Sequence, residues 1–117
     1  MKNFKQLRIW QNGFSIALSS YKLVETFPKE ERYGLSSQIT RAAVSIPSNI
    51  AEGSSRSSEK DYSRFIEISL GSSFELETQV LISEALGFGD PALRTRMLFE
   101  LEQEHMMLHG FLSRLKK

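Results

Sequence analysis

Four long segments of helical periodicity, separated by three short breaks, are the feature of this sequence that most limits its fold. The breaks are FPKEERYG (27–34), SSRSS (54–58) and GFGDP (87–91), which concentrate proline, glycine and serine. Between them apolar residues recur every three or four positions, the period of an α-helix, and no segment sustains the alternation of a β-strand. The pattern predicts an all-α chain with helices at about 5–26, 35–54, 59–86 and 91–115.

The short connections between these helices determine how they are expected to pack. Consecutive helices joined by few residues lie beside each other and run in opposite directions, so we predict an antiparallel up-down-up-down four-helix bundle. The 117 residues suit one domain, 1–117. Pro47 lies inside the second helix, where it removes a backbone donor and crowds the carbonyl of Ala43. Because the periodicity continues through Ile50, we expect one kinked helix rather than two.

The first and third helices carry more apolar residues than their neighbours in a bundle can cover. In the first, one stripe runs from Leu7 to Tyr21 and a second contains Ile9, Ile16 and Leu23. In the third, Ile68, Leu76 and Val80 lie off the main predicted stripe, which consists of Tyr62, Phe65, Ile66, Leu70, Phe74, Leu81, Ile82 and Leu86. A monomer would therefore expose a sizeable apolar patch, so the pattern favours self-association. Gly71 predicts close approach of a neighbouring helix.

The sequence predicts a cytoplasmic protein that does not enter the membrane. The chain has no cysteine, which excludes disulfides and thiolate metal sites. Its basic N-terminal residues precede no uninterrupted apolar run, so we expect no signal peptide. No stretch approaches the roughly 20 apolar residues that span a bilayer.

Two groups of residues have the side chains of an enzyme site, but neither has the full arrangement that such a site requires. Glu102 and His105 form a single Glu-x-x-His pair, whereas di-iron bundles need this motif twice. His105 is expected at the edge of the core and His109 in solvent. The serines near Pro47 and in 54–58 lack a nucleophile elbow. We predict no enzymatic activity, no metal and no cofactor.

A polar ridge follows the second helix at three- and four-residue spacing. With two acidic residues of the third helix it comprises Gln38, Arg41, Ser45, Asn49, Glu52, Glu75 and Glu77. We favour a hydrogen-bonded network between helices or across a subunit interface, with Arg41 paired to a carboxylate. The alternative is a binding groove.

The predicted topology gathers basic residues at one end of the bundle. Nine basic residues from the start of helix one, the 2–3 turn and the end of helix four face three acidic residues there, an excess of about six positive charges. Acidic residues, among them Glu100, Glu102 and Glu104, balance this charge elsewhere. A basic end suits phosphate, and the residues expected to contact it are Lys5, Arg8, Arg56, Lys60, Arg64, Lys116 and Lys117. The alternative is a structural or protein-interaction oligomer whose charges only aid solubility.

The sequence also resembles a known bacterial family, the 23S rRNA intervening-sequence proteins. The resemblance covers nearly the whole chain and rests on FKQLRIWQNG (4–13), the run FPKEERYGLSSQITRAAVSIPSNIAEG (27–53), SRFIEISLGSSFELETQ (63–79) and the leucine-rich last helix. It implies an antiparallel four-helix bundle and a homopentameric ring without enzymatic activity. A related accessory protein of diversity-generating retroelements works with a reverse transcriptase and nucleic acid. The resemblance therefore implies self-association and RNA or DNA as partners, with a protein such as a reverse transcriptase as a further partner.

Overall fold

The computed structural model describes residues 3–115 of the chain, which form four α-helices. These are α1 (Arg8–Val24), α2 (Leu35–Ser54), α3 (Glu59–Leu86) and α4 (Pro91–Leu115), with 3-10 turns at Phe4–Gln6 and Lys29–Glu31. The predicted all-α class is confirmed, and α2, α3 and α4 have the predicted bounds.

The first helix is shorter than predicted: it ends at Val24 rather than residue 26, and it begins later because the chain makes a separate turn before it. The side chain of Asn3 accepts a hydrogen bond from the backbone N–H of Lys5 and starts the 3-10 turn. Leu7 is then extended, with φ −75° and ψ 132°, so the α-helical hydrogen bonds start at Arg8.

Side-chain caps fix the starts of the two longest helices. Ser58 accepts a hydrogen bond from the backbone N–H of Asp61 at 3.1 Å, and Asp90 accepts one from the N–H of Leu93 at 3.0 Å. Both residues occupy the N-cap, where a short polar side chain satisfies a donor that the helix leaves free. Gly87, at φ 73°, ends α3 in the left-handed conformation.

The helices contact one another in the cyclic order α1, α2, α3, α4, so the α1–α2 side of the bundle lies opposite the α3–α4 side. Along each contact between neighbouring helices, residue numbers rise in one helix while they fall in the other. Asn12 of α1 bonds to Glu104 of α4, and Ser19 bonds to Glu100. On the other side, Ser45 of α2 meets Ser72 of α3, and the carbonyl of Ile46 accepts a hydrogen bond from Ser69. These pairs indicate antiparallel neighbours in an elongated bundle of 44 × 22 × 20 Å.

The core stripe of α3 differs from the predicted one. Leu76 and Val80, which were placed off the main stripe, are fully buried, whereas Phe74, Leu81, Ile82 and Leu86 are exposed. Serines fill the intervening core positions, because their hydroxyls find acceptors without water. Ser73 and Ser83 donate to carbonyls of their own helix, and Ser69 donates to the carbonyl of Ile46.

The core stripe of α1 contains Ile9, Ile16 and Leu23, which are buried, while Phe14, Leu18 and Tyr21 remain about half exposed. The single chain therefore leaves apolar side chains of α1 exposed, as the two stripes predicted. Pro47 lies within one continuous α2, as predicted; the kink itself stays a prediction.

The two positive-φ glycines of the turn between α3 and α4 permit a matched test of packing. A Cβ on Gly89 (φ 82°) would lie 2.6 Å from Cε1 of Phe27, whereas a Cβ on Gly87 (φ 73°) would meet nothing within 4 Å. We expect Gly87→Ala to lower the free energy of unfolding by about 1 kcal/mol, the cost of the left-handed backbone. Gly89→Ala should cost about 2–4 kcal/mol, because steric overlap is added. Urea unfolding at one protein concentration measures both, and equal losses would contradict this packing.

Candidate nucleic-acid interface

The structure places the described members of the predicted basic set at one end of the bundle, which we call the basic end. Lys5 lies in the first 3-10 turn, Arg8 opens α1, Arg56 lies in the 2–3 turn, and Lys60 and Arg64 lie on the first turns of α3. All five are exposed. Lys116 and Lys117 lie outside the described residues.

Lys60 and Arg64 line a shallow groove of about 410 Å³ that ends against Leu115 of α4. The two cations are four residues apart and therefore share one side of α3. Glu59 and Glu67 line the same groove. The groove thus presents both signs of charge, with the two cations placed between Glu59 and Glu67 along α3.

Arg8 and Arg114 line a second groove, of about 370 Å³, between the start of α1 and the end of α4. Its other walls are largely apolar and include Met106, Met107 and Phe111. The guanidinium of Arg114 lies 5.7 Å from the ring centroid of Phe111. Arg114 was not among the residues expected to contact phosphate, yet it lines the same groove as Arg8.

Arg56 differs from the other cations because its guanidinium already has two partners. It makes an ion pair of 2.8 Å with Glu52, and it lies 4.6 Å from the ring centroid of Phe65. A phosphate at Arg56 would compete with Glu52. Both groups are substantially exposed, so this ion pair contributes little to stability. The pair also removes Glu52 from the predicted polar network.

Only part of the predicted network on α2 and α3 is formed within one chain. The hydroxyls of Ser45 and Ser72 are 2.8 Å apart, and the amide of Asn49 donates to the carbonyl and hydroxyl oxygens of Ser45. Glu75 accepts a hydrogen bond of 3.3 Å from Gln79. Glu77 is half-buried on α3.

Arg41 has no partner between the helices of one chain, so its predicted pairing with a carboxylate stays a prediction for a subunit interface. It is exposed and makes no hydrogen bond or ion pair with residues 3–115. Together with Gln38, Ser45 and Glu75 it lines an open polar groove of about 340 Å³. The reason is geometric: a guanidinium on the outer side of α2 remains in water unless a second chain covers it.

A polar contact between α1 and α4 was not predicted from the sequence. The amide of Asn12 donates to the carbonyl oxygen of Glu100 and to Oε1 of Glu104, both at 3.0 Å. The hydroxyls of Ser15 and Ser19 donate to the carboxylate of Glu100 at 2.9 and 3.3 Å. These bonds fix the register of the two helices.

Glu104 itself is fully buried, although it was expected among the acidic residues that balance the basic end. Burial raises the pKa of its carboxyl to about 8, and the hydrogen bond from Asn12 lowers it in part. Glu104 is therefore mostly neutral at pH 7. The signal for it was present in the sequence, because it lies three residues after Leu101 and four before Leu108, on the core stripe of α4.

The two histidines lie as predicted, His105 half-buried and His109 exposed. The imidazole of His105 stacks on Phe74, with ring centroids 4.2 Å apart. Across residues 3–115 no group of three or more histidine, aspartate and glutamate side chains is arranged to hold a metal ion. In the same range, no helix has the length and apolar character needed to cross a membrane.

The side of the bundle formed by α1 and α2, which we call the α1–α2 face, carries an apolar groove lined by no charged residue. The groove has a volume of about 380 Å³ and is lined by Trp10, Phe14, Ala17, Leu18, Tyr21, Val44, Pro47, Ser48 and Ala51. Phe14, Leu18 and Tyr21 are 46%, 54% and 54% exposed. Further exposed apolar side chains lie on α3 and α4: Ile68, Phe74, Leu81, Ile82, Leu86, Phe99 and Met106.

The fold and its surface define the chain as an all-α four-helix bundle with a basic end and an apolar groove on the α1–α2 face. The chain belongs to the 23S rRNA-intervening sequence protein family, whose family model matches residues 5–110. The resemblance noted from the sequence is thereby confirmed.

One solved structure with a similar fold is a protein of unknown function from the S23 ribosomal protein family of Bacteroides thetaiotaomicron VPI-5482. It matches with a TM-score of 0.82 and 18% sequence identity, over 90% of this chain and 95% of that chain. At this identity the likeness shows the fold alone. No curated protein matches the chain. Neither the family description nor that of the similar structure names a reaction.

Proposed function

We propose that this protein is a non-enzymatic, homo-oligomeric helical bundle that binds RNA or DNA through its basic end, as an accessory to other components. The observation that carries the proposal is the gathering of exposed cations from three separate parts of the chain at one end. Lys5 and Arg8, Lys60 and Arg64, and Arg114 are far apart in sequence and share this end through the fold.

The chemistry of these side chains suits the nucleic-acid backbone. Lysine and arginine neutralise phosphates and release counterions, which gives affinity without sequence readout. The cations lie on helix ends and turns. They do not line one side of a helix that could enter a groove of the nucleic acid. We therefore assign Lys5, Arg8, Arg56, Lys60, Arg64, Lys116 and Lys117 to phosphate contact, with Arg56 limited by its pairing with Glu52.

Assembly into a ring would multiply these contacts. The apolar groove of the α1–α2 face and the exposed apolar residues of α3 and α4 occupy different sides of the bundle. Two different faces favour a head-to-tail interface, which closes into a ring when the rotation between copies permits. We propose five copies, the number that the family resemblance implies. Parallel bundles in a ring would place all basic ends on one side, where weak phosphate contacts add up.

The second candidate function is a protein-interaction scaffold, and one observation favours it. Tyr33 is 87% exposed in the turn before α2, and the guanidinium of Arg32 lies 5.4 Å from its ring centroid. Tyrosine and arginine are the residue types that concentrate binding energy at protein interfaces. A partner such as a reverse transcriptase would then dock at the end opposite the basic end.

Photo-crosslinking to nucleic acid, followed by mass spectrometry of the crosslinked peptides, tests the proposed function. A structured RNA and a duplex DNA serve as probes. Crosslinks concentrated in segments 4–10 and 56–65 would support binding at the basic end. Crosslinks concentrated around 29–37, or none above the level of a control protein of similar charge, would overturn it and favour the scaffold.

A further inference from the structure

The carboxyl group of Glu104 lies at the centre of the bundle, where three helices meet. Oε1 accepts the hydrogen bond from Asn12 of α1, and Oε2 has no hydrogen-bond donor among residues 3–115. Oε2 lies 3.2 Å from the position that a Cβ on Gly13 would occupy. Gly13 thus leaves the space in which the carboxyl sits.

Pro47 of α2 lies close to the same position beside Gly13. Its backbone nitrogen is 3.5 Å from the Gly13 Cβ position, so Glu104 and the proline of α2 flank one small site. Proline has no N–H and cannot donate to the carbonyl four residues earlier, which is that of Ala43. Ala43 is fully buried, so water cannot replace this donor without entering the core.

A carboxylic acid in its neutral form fits both observations. One oxygen accepts from Asn12, while the protonated oxygen needs an acceptor of its own. An ionised carboxylate at this position would carry a charge in the core without a cation beside it, which is costly. Burial raises the pKa of Glu104 to about 8. The neutral acid is thus the form that the folded protein favours at neutral pH.

Few other ionisable groups face this site. On α4 they are Glu100, one turn earlier, and His105, the next residue. The residues of α1 and α2 that surround the carboxyl, Asn12, Gly13, Ile46 and Pro47, do not titrate. On α3 the acidic residues other than the half-buried Glu77 are exposed.

We propose that Glu104 is a proton-dependent latch, in which the neutral carboxyl bridges Asn12 of α1 to the carbonyl of Ala43 on α2, whose usual helical donor is absent at Pro47. The latch joins α4 to both helices of the α1–α2 face. Loss of its proton breaks the bond to α2 and places a charge in the core, so the bundle loosens as the pH rises.

The direction of the pH dependence follows from the two pKa values. The carboxyl has its ordinary pKa of 4.5 in the unfolded chain and a pKa of about 8 in the folded protein. Its stabilisation is fully present below pH 4.5, falls across the interval between the two values, and is lost as the pH rises through about 8. Within that interval one proton is bound on folding, so the folding equilibrium constant should fall about tenfold per pH unit.

Urea unfolding between pH 5 and pH 9 tests the latch through Glu104→Gln. Glutamine keeps the shape, accepts from Asn12 and offers an N–H to Ala43, but it does not titrate. The ratio of wild-type to Glu104→Gln folding constants should fall about tenfold per unit from pH 5 to pH 8 and then level off. Glu102→Gln, the same change at an exposed site on α4, should keep the wild-type profile. Parallel curves for wild type and Glu104→Gln would overturn the proposal.

Two measurements keep the proposal testable if Glu104→Gln does not fold. Carbon-13 NMR of the side-chain carboxyls should show one glutamate of the wild-type protein titrating near pH 8. Pro47→Ala restores a donor for Ala43, so it should shift this titration towards lower pH. A titration of Glu104 near pH 4.5, or one that Pro47→Ala leaves unchanged, would overturn the latch.

Discussion

Replacement of Leu18 by glutamate is expected to convert the assembled protein into folded monomers. Leu18 is 54% exposed on the α1–α2 face, whose groove is lined by no charged residue. A carboxylate placed there would have to be buried without a partner on association, at a cost of several kcal/mol. Each 1.4 kcal/mol lowers an association constant about tenfold, so assembly should weaken by a factor of about 10³. Because the side chain of Leu18 is exposed in the single chain, the variant should still fold into the four-helix bundle.

Light scattering at micromolar concentration measures the mass, and circular dichroism verifies that the helices remain. Ser57→Glu is the matched control, because it adds the same charge at an exposed position of the turn between α2 and α3, outside both the α1–α2 face and the exposed apolar residues of α3 and α4. The control should keep the wild-type mass. A wild-type protein that is already monomeric, or a Leu18→Glu variant that stays assembled, would show that the α1–α2 face is not the contact between copies.

The double charge reversal Lys60→Glu with Arg64→Glu is expected to reduce affinity for nucleic acid by about 10²–10³ at low salt. Both side chains are exposed and line the same groove, so the change removes two phosphate contacts and adds two repulsive charges. In an assembly every copy carries the change, which multiplies the loss. Fluorescence anisotropy with a labelled RNA hairpin or duplex DNA measures the affinity.

Lys29→Glu with Arg32→Glu is the matched control for this experiment. It makes the same change in net charge at the opposite end of the bundle, where both residues are exposed. We expect its effect to stay within a few-fold. If both double variants lose affinity equally, attraction depends on net charge alone. If only the control loses affinity, the nucleic acid binds at the far end.

The bounds of α2, α3 and α4 were predictable because local chemistry determines them. Ser58 and Asp90 are short polar residues that accept a backbone N–H at the N-cap, and Pro91 opens α4 where proline is tolerated. The faces of α3 were not predictable in the same way. Its core is made largely of serines whose hydroxyls bond to backbone carbonyls, so the large apolar residues did not mark the buried side.

The role of glycine in helix packing depended on tertiary contacts that periodicity does not report. Gly71 was expected to permit close approach of a neighbouring helix, yet a Cβ there would meet nothing within 4 Å. The close approach is at Gly53, where a Cβ would lie 2.8 Å from Cβ of Phe65. Both glycines are helical, and only the packing of α2 on α3 distinguishes them.

Membership of the basic end followed from topology, since short connections place alternate helix ends together. The pairing of its side chains did not. Glu52 was assigned to the polar network, but it lies one turn before Arg56 and neutralises it. The burial of Glu104 was not predicted, because glutamate is rarely fully buried. Its position nevertheless continues the buried stripe of Met97, Leu101 and Leu108.

The salt dependence of nucleic-acid binding by the wild-type protein tests the central claim most directly. Anisotropy titrations of one RNA hairpin between 50 and 300 mM salt, on protein of known mass, give the slope of log affinity against log salt. Each phosphate contact contributes about −0.7 to −0.9, so several contacts per assembly predict a slope of about −3 or steeper. No binding at the lowest salt, or an affinity that salt leaves unchanged, would contradict a nucleic-acid role for the basic end.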